Sequence, residues 1–306
     1  MDKVAILMST FNGDKYISQQ LDSILNQENV DVSIFVRDDG STDKTRFILE
    51  EYSKKSNVVV TFEKNIGWRK SFFSLIIGAP TAEYDYFALA DQDDIWLGQK
   101  LKRAVDQLKK TRSTLYYSNL EMINEKNESF GKKLKDTYFA PINPQVGYFD
   151  GFPTGSTMVF TTGLLEKIQK NLLLTDIKDN SHDAFLFAAS NFVGQTFYDR
   201  EAFIQYRRHS NTATGFGNTS NQFHPRLLDR YKRFKRMPAH VYSDRARLLL
   251  LALEDDISEE NKFFLQRIAN SKRLLVRTKL FFSPKIVAKG FMGIIKIKLR
   301  ILQNRF

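Results

Sequence analysis

The sequence contains no cysteine among its 306 residues. Disulfide bonds and thiolate chemistry are therefore excluded, which fits a protein of the reducing cytosol. No apolar run approaches the roughly 20 residues that a membrane-spanning helix needs. Met1-Asp2-Lys3 leads directly into an apolar stretch without the features of a signal peptide. We therefore expect a cytoplasmic protein.

Two familiar nucleotide-binding signatures are also absent. No Gly-x-Gly-x-x-Gly follows the first apolar stretch, and the chain has no Gly-Lys-Ser or Gly-Lys-Thr of the P-loop type. These absences argue against dinucleotide binding and P-loop chemistry. A chain of this length can bury a sizeable core but is long for one compact domain.

Apolar and amphipathic stretches alternate along the first 90 residues. Ile17, Leu21 and Ile24 have helical spacing, for example, whereas residues 4–8 are continuously apolar. The predicted strands are residues 4–8, 32–36, 58–62 and 84–90, and the predicted helices are residues 16–27, 44–55 and 69–77. This alternation predicts an α/β fold with a mostly parallel central sheet flanked by helices.

A polar loop follows each predicted strand, and these loops carry Thr10, Asp39, Asn65 and the pair Asp91 and Asp93. The carboxyl ends of parallel strands meet at one edge of a sheet, where α/β proteins bind ligands. We therefore expect these residues to share one site despite their separation in sequence. Asp39 is suited to accept a hydrogen bond from the N3–H of uracil or thymine, although it could instead cap the following helix.

The most informative motif is Asp91-Gln92-Asp93-Asp94, at the end of an apolar run. Clustered carboxylates repel one another, and a divalent cation is the usual compensation. Mg²⁺ or Mn²⁺ commonly binds one or two carboxylates together with the phosphate oxygens of a substrate. The alternative is an acidic loop that caps a helix starting near Leu97.

The order and spacing of the motifs resemble those of family 2 glycosyltransferases, which have the nucleotide-diphospho-sugar transferase (GT-A) fold. The resemblance covers about residues 3–215, and the Asp-Gln-Asp-Asp-Ile-Trp form is similar to a subgroup with bacterial rhamnosyltransferases and other cell-surface polysaccharide enzymes. The matching motifs are Ser9-Thr10-Phe11-Asn12-Gly13, Asp38-Asp39-Gly40-Ser41-Thr42-Asp43, Asn65-Ile66-Gly67, Asp91-Gln92-Asp93-Asp94-Ile95-Trp96, Gly155-Ser156, His182-Asp183 and Tyr206-Arg207-Arg208-His209.

The resemblance implies a donor site for a nucleoside-diphosphate sugar. Thr10 and Asp39 would lie at the base and ribose, with Asn12 and Asn65 in the same nucleotide-sugar site. Asp91 would contact the ribose or the sugar–phosphate side. A uridine or thymidine donor is implied, and dTDP-rhamnose is one such donor.

The resemblance also implies the catalytic and metal-binding residues. Asp93 would ligate Mn²⁺ or Mg²⁺, and His209 would contact the metal or the diphosphate. Asp183 matches the catalytic base, and the acceptor region would comprise Gly155, Ser156 and His182. Taken alone, Asp183 could simply cap the helix that its apolar neighbours predict, and His209 could be an ordinary surface histidine.

The chemistry agrees with these assignments. An acceptor hydroxyl is a poor nucleophile, so a carboxylate must take its proton during attack. A divalent ion stabilises charge on the departing diphosphate. One base opposite the leaving group gives a single displacement with inversion.

One departure from the family pattern is Trp68-Arg69-Lys70, where many relatives have small residues. Arg69 or Lys70 could neutralise phosphate, but we favour a solvated helix face.

The positive charge is concentrated in the C-terminal region. Residues 226–306 carry 20 Lys or Arg and 7 Asp or Glu, a net charge of +13, whereas residues 1–225 carry 26 and 28, a net charge of −2. Helices are predicted over residues 226–236, 241–254 and 259–276, with a last segment after Pro284. We predict a GT-A catalytic domain over residues 1–224, with a nucleotide-sugar half of about 1–110 and an acceptor half of about 111–224, followed by a basic helical region over 225–306.

Three interpretations of the basic region remain: a peripheral anchor on anionic lipid, nucleic-acid binding, and a helical lid or oligomer contact. No nucleic-acid motif accompanies the charge, so we expect no nucleic-acid partner and favour the anchor, at the inner face of the cell membrane. Many bacterial enzymes of this kind extend a saccharide carried on an anionic lipid.

The sequence therefore predicts an inverting, metal-dependent glycosyltransferase that acts on a saccharide acceptor in bacterial cell-surface polysaccharide or glycan synthesis. One alternative is a catalytically silent module that binds a nucleotide sugar or saccharide. The other is a sugar nucleotidyltransferase, whose Gly-rich basic loop after the first strand is missing here.

Overall fold

A computed structural model describes residues 1–134, 144–149, 153–209, 238–288 and 291–306. Within these residues nine strands form a single sheet. The strands are β1 (Lys3–Thr10), β2 (Asp31–Asp38), β3 (Val58–Phe62), β4 (Tyr86–Ala90), β5 (Ile95–Trp96), β6 (Leu115–Ile123), β7 (Ser129–Lys132), β8 (Met158–Thr161) and β9 (Thr196–Arg207).

The strand order is β3-β2-β1-β4-β8-β6-β9-β5, with β7 paired to β6. The first four strands pair in parallel, as the alternation of strands and helices predicts. β8 then pairs antiparallel with both β4 and β6, and β5 pairs antiparallel with β9. The sheet is thus parallel over its N-terminal half and mixed beyond β4.

The helices of the N-terminal part cover both faces of the sheet. They are α1 (Ile17–Leu25), α2 (Thr45–Tyr52), α3 (Trp68–Gly78), α4 (Lys100–Thr111), α5 (Pro144–Phe149), α6 (Thr162–Gln169) and α7 (His182–Val193). Side chains of β1 alternate between two apolar clusters: Ala5 and Leu7 pack beside α3 and α7, whereas Val4, Ile6 and Met8 pack beside α1, α2 and α4. This period of two places a buried core on each face.

Among the described residues of the C-terminal region there are four helices: α8 (Val241–Leu253), α9 (Glu259–Ala269), α10 (Leu274–Phe281) and α11 (Phe291–Leu302). Leu249 and Leu265 belong to the same apolar cluster as Phe185 of α7, so these helices continue the core on that face. The predicted helix over residues 226–236 and the predicted domain boundary at 224/225 lie outside the described residues, and the boundary stays a prediction.

One predicted element is wrong in detail. A single helix was expected over residues 259–276, but α9 ends at Ala269 and α10 begins at Leu274. The Asn270 N–H closes the last turn of α9, and the Arg273 N–H bonds back to the Asn270 carbonyl. Asn and Ser favour such turns over a continued helix, which explains the break.

Helix length also bears on membrane association. In the part of the chain that the structure describes, no helix is long and apolar enough to span a bilayer.

Candidate active site

A cleft of roughly 920 Å³ lies at the carboxyl ends of the parallel strands. It brings together ten of the eleven residues that the sequence predicts as site residues: Thr10, Asn12, Asp39, Asn65, Asp91, Asp93, Gly155, His182, Asp183 and His209. Ser156 is the exception, because it is buried and does not line the cleft. The expectation that distant polar loops converge is thus met, while the role of each residue stays a prediction.

The end of the cleft where the nucleotide base is predicted to bind is built around two adjacent carboxylates, Asp38 and Asp39. Asp38 accepts hydrogen bonds from the Thr10 and Ser41 hydroxyls and from the Ser41 N–H, so it fixes the loop after β2. Asp39 accepts from the N–H groups of Ile66 and Gly67, each at 2.9 Å, and pairs with Arg37. Asp39 therefore holds the loop after β3 instead of capping α2. A carboxylate oxygen can accept more than one hydrogen bond, so the Asp39 Oδ2, which accepts from the Gly67 N–H, can also accept from a ligand.

Asn12 and Gln92 connect the loops across the cleft. The Asn12 Oδ1 accepts from the Thr42 N–H at 2.8 Å, which joins the loops after β1 and β2. The Gln92 amide accepts from the Phe11 N–H at 2.8 Å and donates to the Phe11 carbonyl at 3.0 Å. A Cβ at Gly13 would lie 2.4 Å from the Gln92 Oε1, so any larger residue there would force the Gln92 amide to move. Gln92 was not predicted as a site residue, because its partner is distant in sequence.

In the carboxylate cluster after β4, burial and mutual repulsion disfavour the charged forms of the side chains. Burial raises the pKa of Asp91 to about 7, and the negative charges of Asp93 and Asp183 add to the rise. Burial also raises the pKa of Asp94 well above its usual range, again with contributions from its acidic neighbours. The cluster does not cap a helix, because β5 intervenes and α4 begins at Lys100. This site therefore favours a compensating cation.

Asp93 and His209 form the closest pair in the predicted metal site, with 2.7 Å between the Asp93 Oδ2 and the His209 Nε2. Among the described residues, no group of three or more His, Cys, Asp or Glu side chains could hold a metal ion. Two protein ligands suit Mg²⁺ or Mn²⁺ that is completed by diphosphate oxygens and water. The excess of carboxylates around Asp91 agrees with that chemistry, so the residues present fit such an ion.

The predicted base and the predicted acceptor region lie next to each other in the cleft. Asp183 lies in the first turn of α7 and accepts from the Ala184 N–H at 2.8 Å and from the Ser181 hydroxyl. A Cβ at Gly155 would lie 3.0 Å from the His182 Nε2 and 3.5 Å from the Asp183 Cβ, so the Gly155 backbone approaches both residues closely. The N-cap position of α7 is Ser181, which leaves Asp183 facing the cleft.

Comparison with known proteins decides the family. The model of the family "Glycosyl transferase family 2" matches residues 5–188. The chain belongs to glycosyltransferase family 2. It is therefore a glycosyltransferase with a GT-A fold, as the motifs predict.

Individual relatives extend this comparison. The dTDP-rhamnosyl transferase RfbG of Shigella flexneri is 32% identical over 272 residues, which are 86% of this chain and 90% of that protein. The UDP-Glc:alpha-D-GlcNAc-diphosphoundecaprenol beta-1,3-glucosyltransferase WfgD of Escherichia coli is 31% identical over 132 residues, 42% of this chain and 49% of that protein. The crystal structure of S. aureus TarS 1-349 in complex with UDP-GlcNAc has a TM-score of 0.55 and 18% identity, covering 92% of this chain and 73% of that chain, and supports the fold.

Arg207 connects several parts of the cleft, although the sequence predicts only the nearby His209 as a site residue. Its side chain is 1% exposed and donates to the Asp93 carbonyl at 2.8 Å and to the Gln19 side chain at 2.8 Å. Its N–H donates to the Asp94 carboxylate at 3.1 Å. The guanidinium also lies 4.5 Å from the centre of the Tyr16 ring. Arg207 therefore joins the carboxylate loop to α1 and β9.

Lys100 is a second residue that sequence patterns missed. It is fully buried, and its Nζ lies 3.4 Å from the centre of the Trp96 ring. Burial lowers the pKa of Lys100 to about 7, while the nearby Asp94 carboxylate opposes that change. A buried lysine in a helix that otherwise reads as amphipathic has no distinctive spacing, so only the structure reveals it.

The segment Trp68-Arg69-Lys70 begins α3 at the rim of the cleft. Lys70 is exposed, as the solvated-face interpretation predicts. Arg69 is half-buried instead, and its guanidinium lies 4.4 Å from the centre of the Trp68 ring. Arg69 thus supports Trp68 rather than extending freely into solvent.

Proposed function

We propose that the protein is an inverting glycosyltransferase that moves a sugar from a UDP- or dTDP-linked donor to a saccharide acceptor in the synthesis of a bacterial surface polysaccharide. The observation that carries this proposal is the convergence of Asp39, Asp93, His209 and Asp183 on one cleft. Similarity to RfbG over most of both chains adds dTDP-rhamnose as the first donor to test.

In this proposal each of the converging side chains has a separate role. Asp39 accepts the N3–H of the pyrimidine, and Asp91 orients the ribose or the sugar–phosphate. Asp183 takes the proton of the acceptor hydroxyl as that oxygen bonds to the anomeric carbon and the bond to the diphosphate oxygen breaks. With the base on the side opposite the leaving group, the reaction is a single displacement that inverts the sugar.

A divalent cation completes the proposed donor site. Asp93 and His209 would hold Mn²⁺ or Mg²⁺, which supplies electrostatic stabilisation of the leaving diphosphate. Besides its proposed contact with the donor, Asp91 adds negative charge beside this site. Arg207 acts on the site through the protein, because it fixes the backbone carbonyl of Asp93.

We expect UDP and dTDP to bind at least about tenfold more tightly than GDP, because uracil and thymine have an N3–H for Asp39 to accept and the N3 of guanine carries no hydrogen. Asp39→Ala should weaken UDP and dTDP binding by a further tenfold or so. Isothermal titration calorimetry with Mn²⁺ measures both effects. Asp14→Ala is the matched control, because Asp14 lines the same cleft but has no proposed contact with the base.

Tight GDP binding would contradict the proposed donor class, as would an Asp39→Ala variant with unchanged affinity. A loss of binding in both Asp39→Ala and Asp14→Ala would instead indicate a general effect of cleft charge. Thermal unfolding of each variant must accompany the titrations, because Asp39 also anchors Ile66 and Gly67.

The C-terminal helices are proposed to hold the enzyme on an anionic membrane, where a lipid-linked acceptor would be available. Leu274 and Leu275 of α10 are 67% and 79% exposed, and Phe291 and Met292 of α11 are 77% and 63% exposed. Exposed cations accompany them on or beside these two helices: Lys272, Arg273, Lys279, Lys285 and Lys296. Apolar side chains among cations match the interface of an anionic bilayer.

We expect the protein to sediment with vesicles that contain phosphatidylglycerol and to remain in solution with pure phosphatidylcholine vesicles. Replacing both Leu274 and Leu275 by Ser should lower the partition coefficient by about tenfold or more, because their apolar burial is lost. Phe47→Ser is the matched control, since Phe47 is 66% exposed on α2. Equal binding to neutral vesicles, or equal loss in Phe47→Ser, would contradict the anchor.

A further inference from the structure

Three aromatic rings form a continuous wall beside the predicted base. This wall consists of Trp68, Phe72 and His182, and all three line the cleft. Phe72 stacks on His182 with 4.0 Å between ring centres, and Trp68 meets His182 edge to face at 5.7 Å. Phe72 and His182 are buried, whereas Trp68 is 41% exposed. The wall thus exposes the indole ring of Trp68 to the cleft, with two buried rings packed behind it.

The position of Trp68 is fixed by contacts on several sides. The preceding Gly67 has a φ of +83° and donates its N–H to Asp39 at 2.9 Å, which sets the direction of the chain entering α3. Arg69 lies 4.4 Å from the centre of the indole. An exposed tryptophan held in this manner loses little conformational entropy when a ligand packs on it.

His182 contributes an apolar surface and not a charge. Burial lowers the pKa of His182 to about 4, so the imidazole is neutral at physiological pH. The wall is therefore uncharged, whereas the cleft beside it is lined by the carboxyl groups of Asp91 and Asp183. A surface with one apolar wall and a polar rim suits a pyranose, whose ring has an apolar C–H face and a perimeter of hydroxyls.

We propose that the wall formed by Trp68, Phe72 and His182 is the subsite for the acceptor sugar, and that Trp68 packs against the apolar face of that sugar. His182 precedes the predicted base directly, so a sugar on this wall places a hydroxyl beside Asp183. A donor sugar, by contrast, must lie next to Asp93 and its diphosphate. The inference rests on the proposed function and adds to it a residue that determines acceptor binding.

The protein contains two tryptophans, which makes the subsite directly observable. Trp96 is 3% exposed and Trp68 is 41% exposed, so acrylamide should quench mainly the fluorescence of Trp68. We expect methyl α-L-rhamnopyranoside or methyl N-acetyl-β-D-glucosaminide to protect Trp68 from quenching, with and without bound dTDP. If neither glycoside protects Trp68, or if dTDP alone protects it fully, the acceptor subsite is overturned.

Substitutions then separate stacking from folding. Trp68→Ala should weaken glycoside binding by about tenfold, and Trp68→Phe should restore most of the loss, since an aromatic ring returns. Saturation-transfer NMR measures these affinities without a tryptophan signal. Phe47→Ala, at an exposed ring on α2, should bind the glycosides like the wild type. Equal glycoside affinity in Trp68→Ala and the wild type would overturn the proposal.

Nucleotide binding distinguishes this inference from the proposed function. We expect all three variants to retain the wild-type affinity for dTDP in calorimetry. If the wild type binds dTDP but its glycoside affinity does not depend on Trp68, only the acceptor subsite fails. If the wild type binds no nucleotide, the proposed function fails, and the glycoside titrations without dTDP still decide whether the wall binds sugar.

Discussion

Asp183→Asn should lower kcat by about 10²- to 10⁴-fold, because the acceptor hydroxyl then lacks a base as it attacks. Asn has nearly the same shape and keeps a side-chain oxygen that can accept from the Ala184 N–H and the Ser181 hydroxyl. The affinity for UDP or dTDP should therefore change by less than about threefold, well under 1 kcal/mol. Steady-state kinetics and calorimetry on the same preparation measure the two quantities.

This substitution also separates the two roles that Asp183 can have. An acidic side chain in the first turn of a helix contributes about 0.3–1 kcal/mol of stability through the helix dipole. A loss of that size lowers the melting temperature slightly but leaves nearly all molecules folded and active. A large fall in kcat without unfolding is therefore specific to the chemical role.

Asp179→Asn is the matched control, because Asp179 is exposed and lies just before the same helix. It should turn over substrate like the wild type, with the donor and acceptor pair found by screening dTDP- and UDP-sugars against simple glycosides. Turnover by Asp183→Asn within about threefold of the wild type would show that another group is the base. Loss of nucleotide binding in that variant would instead assign Asp183 to the donor site.

The convergence of the site was predictable because it follows from topology. The alternation of strands and helices up to Ala90 predicts parallel pairing, and β1, β2, β3 and β4 do pair in parallel. Parallel pairing alone places the loops bearing Thr10, Asp39, Asn65 and Asp93 at one edge. Local patterns were sufficient because each strand is a short apolar run bounded by polar residues.

The second half of the sheet could not be predicted in the same way. β9 contains Asp199, Arg200 and Glu201 and runs for 12 residues, so it lacks the apolar run of a buried strand. Its ladder with β6 shifts register near Asn119, which accommodates the charged interruption. Such irregular pairing depends on the partner strand, which a local pattern does not contain.

Residues that act through distant partners were missed for the same reason. Arg207 contacts Gln19 and the Asp93 carbonyl, which are 188 and 114 residues away in sequence. Gln92 bonds to Phe11, 81 residues away. No sequence spacing marks an arginine or a glutamine that positions other groups. The sequence motifs therefore indicate the acidic residues and the histidine of the site, but not Arg207 and Gln92, which position them.

Asp93→Ala should weaken nucleotide binding in Mn²⁺ by roughly a hundredfold or more, because it removes a proposed metal ligand. In EDTA the wild type should bind as weakly as the variant, whose affinity should not respond to metal. Calorimetry with UDP and dTDP, with either Mn²⁺ or EDTA, measures this. Asp14→Ala serves as the control, since it removes a carboxylate from the same cleft without touching the proposed metal site.

The same variant should change how stability depends on pH. The pKa of Asp91 is about 7 in the folded protein against an ordinary value of 3.8. Because this pKa is raised on folding, the free energy of unfolding has its full value below about pH 4. It then falls as pH rises through about 7, by a total on the order of 2–4 kcal/mol. Removing the Asp93 charge lowers the pKa of Asp91 and recovers part of the loss.

Metal binding should therefore stabilise the wild type more near pH 8 than near pH 5.5, because the cation compensates charge that appears only as Asp91 ionises. In EDTA near pH 8, Asp93→Ala should melt at a higher temperature than the wild type, and Mn²⁺ should not raise it further. A rise in melting temperature on removal of a carboxylate is characteristic of an empty metal site, since removal of a purely structural carboxylate would destabilise the fold. A wild type whose melting temperature and UDP affinity are the same in Mn²⁺ and EDTA would instead require the leaving diphosphate to be stabilised by protein cations alone.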